Sequence, residues 1–112
     1  MPYLVDLEAG RPPVHQALAL LERELAHAKR HGYTLLKLIH GYGSSGTGGD
    51  IRIAVQRHLR ELERNGGIQL CIFGEDWGSS DTNVWNLLKT YPALKNDPDL
   101  GRHNRGITVV LL

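Results

Sequence analysis

One stretch restricts the fold of this chain more than any other. It runs Leu35-Leu36-Lys37-Leu38-Ile39-His40, then Gly41-Tyr42-Gly43-Ser44-Ser45-Gly46-Thr47-Gly48-Gly49-Asp50, then Ile51-Arg52-Ile53-Ala54-Val55. The apolar run is short enough for a buried strand and stops at His40. A loop with five glycines follows, and Asp50 then stands at the N-cap position of a helical apolar period. Glycines reach positive φ and let a ligand approach the backbone. The first turn of a helix offers unpaired N–H groups and the positive end of the dipole. Strand, glycine loop and helix start therefore predict an anion site, for phosphate above all, between His40 and Arg52.

The rest of the chain supplies the partners such a strand needs. Tyr3 to Leu7 reads as a first strand, and the prolines at 12 and 13 open a helix. Val14, Leu18, Leu21, Leu25 and Ala28 form its apolar stripe, with Lys29, Arg30 and His31 in the last turn before Gly32. Thr34 to Ile39 is the second strand, with too little polar alternation for a strand that faces water on one side. Ile51, Ala54, Val55, His58, Leu59 and Leu62 mark a second helix, ended by Asn65-Gly66-Gly67. Ile68 to Phe73 and Gly106 to Leu112 are the third and fourth strands. About thirty residues separate them, too many for a bare loop in a compact domain. Thr82 to Leu88, capped by Asp81 or Thr82, fills part of that length with a short third helix. Residues 96–99 and 101–106 read as surface loops. Alternating strands and helices predict βαβ units, with the first three strands parallel.

Composition narrows the setting. A chain of 112 residues supports one domain. With 13 basic against 12 acidic side chains, the overall field selects no partner, so a nucleic-acid binder would have to gather its cations on one face. The single cysteine, Cys71, allows no internal disulfide and suits a reducing compartment. No run approaches the roughly 18 apolar residues of a membrane span, and the N-terminus lacks a signal-peptide pattern. These features predict a cytoplasmic protein without a membrane partner.

Three ligand-binding readings compete for the glycine loop. A Walker A loop needs Lys and then Ser or Thr after its last glycine, and Gly49-Asp50 stands there instead. Gly41-x-Gly43-x-x-Gly46 fits the dinucleotide pattern, but the loop runs on through Gly48-Gly49, and the first acidic residue beyond the third strand, Glu75, comes late. The third reading is a loop that grips phosphates of nucleic acid or another ligand. Beside these stands a plain β–α connection with no ligand, since glycine also marks ordinary turns.

The third reading gains from a resemblance. Ile39-His40-Gly41-Tyr42-Gly43, followed by Ile51-Arg52-x-Ala54-Val55-x-x-x-Leu59, resembles the H-G-x-G loop and following helix of the Smr (small MutS-related) domain. Gly106-Ile107-Thr108-Val109-Val110-Leu111-Leu112 is similar to that family's closing strand, and Val5-Asp6-Leu7 falls where the family carries D-L-H-G. The resemblance covers nearly the whole chain as a single domain, 1–112. It implies an α/β fold, an α+β two-layer sandwich ordered β-α-β-α-β-(α)-β. The four-stranded mixed sheet would be similar to that of the C-terminal domain of bacterial translation initiation factor three. It also implies binding of DNA or RNA, structured or branched, and in many members endonuclease activity. On this basis His40, Gly41, Tyr42, Gly43, Ser44, Ser45, Gly46, Thr47, Gly48, Gly49 and Arg52 are expected to hold phosphates.

Asp6, Glu8 and His40 are the candidate catalytic set, with Asp6 and Glu8 holding Mg²⁺ or Mn²⁺ if cleavage occurs. Glu8 departs from the family histidine. A carboxylate repels phosphate unless a cation lies between them, so a module that binds without cleaving is the alternative. Asp6 and Glu8 share a strand face but equally suit a solvated strand end. His40, at the end of a buried strand, stands where α/β folds place ligands. His58 falls on an apolar stripe and reads as a boundary residue. Arg57, Arg60 and Arg64 are diluted by Glu61 and Glu63. Trp77 is a candidate for base stacking and Trp85 for the core. The histidines and Cys71 show no zinc spacing.

Overall fold

The structure, a computed structural model, describes residues 2–42 and 48–112. Along the chain it forms β1 (Tyr3–Asp6), α1 (Val14–Arg30), β2 (Leu35–Ile39), α2 (Gly48–Asn65), β3 (Leu70–Phe73), α3 (Thr82–Thr90) and β4 (Ile107–Leu111). Short 3-10 turns at Gly74–Asp76 and Pro92–Asn96 flank α3. The strands form one mixed sheet in the order β1-β2-β4-β3. β1 and β2 are parallel, and β4 runs antiparallel to both β2 and β3. The first three strands thus share a direction, as expected, and the last one enters the sheet between two of them.

The apolar periods explain the layers. On α1, Ala17, Leu21, Leu25 and Ala28 are buried; on α2, Ile51, Val55 and Leu59 are. These stripes pack on Val5, Leu36, Leu38, Cys71 and Val110 of the sheet. This is the α-on-β sandwich. α2 begins two residues before the expected cap, so Asp50 lies inside its first turn, where a carboxylate still favours the dipole. It ends with Gly67 N donating to Leu62 O at 2.8 Å. Cys71 is closed in beside Glu63, and its thiol is pushed up to about 11, first by burial and then by that carboxylate. Such a thiol is inert.

The opposite face of the sheet is covered by the segment between β3 and β4. Leu35, Ile72, Ile107 and Val109 meet Trp77, Val84, Leu87, Leu88 and Leu94. The Asp81 side chain caps α3, accepting from Asn83 N at 2.9 Å and Val84 N at 3.1 Å. The two tryptophans exchange their expected places. Trp77 is 1 % exposed, and Trp85 is 51 % exposed with the Lys89 ammonium 3.6 Å from its ring centroid. The 3-10 turn after β3 folds Trp77 back onto the sheet, whereas the stripe of α3 is complete with Val84, Leu87 and Leu88. Trp77 is therefore a core residue and is removed as a base-stacking candidate.

Alternation along β2 also places Lys37 on this second face, where it is 6 % exposed. Its Nζ donates to Asp97 Oδ1 at 2.6 Å and to Asp99 Oδ2 at 2.5 Å. Trp77 Nε1 donates to the second oxygen of Asp97 at 3.2 Å, and Asn104 Nδ2 to that of Asp99 at 2.9 Å. Burial opposes the charge on Lys37, but the hydrogen bonds to Asp97 and Asp99 outweigh it and raise the pKa. Burial likewise opposes ionisation of Asp99. The hydrogen bonds from Asn104 and Lys37 and the nearby cations prevail, and its pKa lies below the ordinary value.

Replacing Lys37 with alanine leaves the enclosed Asp97 carboxylate and the half-buried Asp99 carboxylate without their cation. Urea unfolding is expected to show a loss of about 3–5 kcal/mol. Because Asp99 is more acidic folded than unfolded, its contribution is complete above its ordinary value of 3.8 and is lost as the pH falls through the folded value. Asp99→Asn should flatten the pH dependence of stability in that acid window.

Candidate functional site

Strand pairing gathers the site at one end of the sheet. Asp6 pairs with Ile39, Ile39 with Ile107, and Phe73 with Thr108. The ends of β1, β2 and β3 therefore lie beside the start of β4. The segments that leave or enter there bring Glu8, His40 to Tyr42, Glu75 and residues 102–105 to that end. Of the expected phosphate-binding residues, Gly43, Ser44, Ser45, Gly46 and Thr47 lie outside the described residues. Gly48 and Gly49 open the first turn of α2.

Asp6 shapes the turn out of β1. Its Oδ1 accepts from Glu8 N at 3.0 Å and Ala9 N at 3.1 Å. Glu8 then leans its carboxylate against Gly41. The Gly41 φ is +71°, a left-handed backbone that favours glycine, and a Cβ there would displace the Glu8 carboxylate. Glu8 thus lies against the first glycine of the loop. Among the described residues, no group of three or more His, Cys, Asp or Glu is placed to hold a metal ion. The Asp6 carboxylate is already engaged by its own turn.

His40 is buried completely, with 0 % exposure. Its ring bonds Gly41 O at 2.8 Å through Nδ1 and Thr108 Oγ1 at 2.9 Å through Nε2. A carbonyl only accepts, so Nδ1 carries the proton and Nε2 accepts from the threonine hydroxyl. Burial lowers the His40 pKa, and the Arg52 charge adds to this against the hydrogen bond to Gly41. The ring is a neutral strut between the loop and β4. In this arrangement the ring has no open surface, and both of its nitrogens are engaged.

Arg52 is close to the strand ends but already paired. Its Nη2 bonds Glu75 Oε2 at 2.5 Å. Arg52 Nε and Glu75 Oε1 are buried and find no partner among the described residues, so the fork is only half used. Glu75 belongs to the 3-10 turn after β3, whose first residue, Gly74, is pressed against the backbone of Asn104 and Ile107. Any Cβ at Gly74 would collide with the Asn104 carbonyl.

That close approach brings in residues of the 101–106 surface loop. His103 Nδ1 donates to Glu75 O at 3.2 Å, and Gly106 N donates to Asn104 Oδ1 at 2.8 Å. Gly106 O in turn accepts from His40 N at 2.9 Å and Gly41 N at 3.1 Å. Tyr42, 55 % exposed, stands across from Arg102, His103, Asn104 and Arg105, and together they line an open cleft of about 580 Å³. Neither Arg102 nor Arg105 forms a salt bridge among the described residues. The available signal was the density of cations between Gly101 and Gly106 in a chain of balanced charge. No protein-family model, curated protein or solved structure matches the chain.

Neutral burial of His40 gives stability a pH dependence near neutrality. The unfolded chain takes up a proton around the ordinary value of 6.5, and the folded chain resists it. The contribution is complete above 6.5 and is lost as the pH falls toward the lower folded value. His40→Gln is expected to reduce the fall in stability between about pH 7 and pH 5, followed by denaturant unfolding at each pH.

Proposed function

We propose that the chain binds nucleic acid at the sheet end where the glycine loop leaves β2. The observation that carries this reading is the convergence there of segments distant in sequence: 40–42, 48–52 and 102–105. They bring the first turn of α2, whose leading N–H groups have no partner within the helix, to the same sheet end as two exposed arginines free of salt bridges among the described residues. The resemblance to the Smr loop and closing strand points the same way. A chain of net charge +1 attracts a polyanion through such a local gathering of cations rather than through its total field.

Hydrolysis by Asp6, Glu8 and His40 with Mg²⁺ or Mn²⁺ is a separate branch of the same resemblance, and the geometry favours the module that binds without cleaving. His40 is enclosed, and one oxygen of Asp6 is engaged by its turn. Glu8 brings a negative charge to the first glycine of the loop. Phosphate contact is therefore assigned to main-chain N–H groups and arginines, and proton transfer to none of the three.

Binding to labelled DNA and RNA, read by fluorescence anisotropy, is expected to weaken steeply as salt rises, because phosphate contacts release counterions. Arg52→Ala should weaken binding by removing a cation and freeing the Glu75 charge. Glu75→Gln should tighten it by releasing the Arg52 guanidinium. The labelled strands should stay intact with Mg²⁺ or Mn²⁺. Salt-independent binding would move the site elsewhere, and metal-dependent cleavage lost in Asp6→Asn would restore the hydrolytic branch.

A further inference from the structure

The cleft between Tyr42 and the 102–105 loop has a composition that goes beyond a general affinity for phosphate. The Tyr42 ring is exposed yet lies beside the entry to β4. A Cβ on Gly106 would meet Tyr42 Cδ1 and Gly41 Cα at 3.4 Å, the distance of ordinary contact. The facing wall is also held in place. His103 is tied to Glu75 O, and Asn104 bridges Asp99 and Gly106 N. Arg102 and Arg105 project from that wall as exposed cations. The volume, about 580 Å³, falls within the range of roughly 300–1,000 Å³ common for small-ligand pockets.

The surroundings give the cleft a direction. On the far side of His103 lies a second hollow, lined by Glu75, Asp76 and Asp81 among others. A polyanion is repelled there and drawn to the arginine side, so His103 marks the edge of the surface it can follow. An aromatic face within reach of two guanidinium groups suits a base presented outside a helix stack with its phosphate close by. Bases inside a duplex offer no such face.

Resting on the nucleic-acid reading above, we propose that this cleft takes an unstacked nucleotide of a single strand, with Tyr42 against the base and Arg102 and Arg105 against the phosphates. The partner is thereby a single-stranded or locally opened segment rather than an intact duplex. Stacking on a π-face selects for accessible bases and not for their identity.

The test compares a labelled oligo-dT or oligo-U strand with a blunt duplex of the same length, by anisotropy across a salt series. The parent protein is expected to bind the strands more tightly than the duplex. Tyr42→Ala should weaken strand binding by roughly 5–150-fold, and Tyr42→Phe, which keeps the ring, should recover most of that loss. Arg102→Ala with Arg105→Ala should flatten the salt slope by about 1.4 units, the sum for two single-strand phosphates. All of these side chains are exposed, and circular dichroism of each variant confirms the fold. If the duplex binds as tightly as the strands, or if Tyr42→Ala binds like the parent, the proposal falls while nucleic-acid binding stands. If no nucleic acid binds at any salt, both fall.

Discussion

A lysine in the middle of a buried strand is the constraint on which much of this molecule depends. Lys37 lies on the sheet face away from α1 and α2, and it is 6 % exposed. Moving a charge out of water costs several kcal/mol, and only good geometry and full hydrogen bonding offset that. Asp97 and Asp99 supply both, and each spends its second oxygen on another donor, Trp77 Nε1 or Asn104 Nδ2. The segment between β3 and β4 is therefore bound to its face by a network that accepts one arrangement. The apolar contacts of Val84, Leu87, Leu88 and Leu94 add area but less discrimination among alternatives.

From that network an unbroken line of hydrogen bonds reaches the sheet end where the glycine loop leaves β2. Lys37 holds Asp99, Asp99 accepts from Asn104, Asn104 accepts from Gly106 N, and Gly106 O accepts from the backbone of His40 and Gly41. His40 closes the arrangement by joining Gly41 to Thr108. The 102–105 loop and the first residues of the glycine loop are thus held by the same core. This gives a physical meaning to the burial of His40: it orders the backbone that a phosphate would meet. The charge pattern at this end is uneven, with Arg102 and Arg105 on one side and Glu75, Asp76 and Asp81 on the other. A nearly neutral chain can steer an anionic strand by such contrast at close range, where salt screens least.

Much of the architecture is legible in the sequence because periodicity reports burial. The stripes of α1 and α2, the unbroken apolar run of β2, a cap at Asp81 or Thr82 and a strand within 106–112 all follow from local spacing, and the structure has Asp81 as the cap and the strand at Ile107–Leu111. The start of the glycine loop was legible for the same reason, since a buried strand that stops before glycines must turn there. Glu8 beside Gly41 follows from the pairing of two parallel strands that end together.

Local spacing, however, carries no information about which distant segment covers a face. Trp77 and Trp85 sit on short elements with little period, and only the fold of the insertion decided that the first is core and the second exposed. Lys37 and its carboxylates stand 60 and 62 positions apart. The cleft joins Tyr42 to a loop beyond β3 and α3. Arg52 and Glu75 pair because α2 and the end of β3 meet, which no helical or strand repeat encodes. The sequence by itself determined the elements, their apolar faces and the loop from which function was to be read. The tertiary structure alone decided which charges are spent on one another and which remain exposed. That depends on close approaches such as Gly74 against Asn104, set by backbone geometry across the chain and absent from any local pattern.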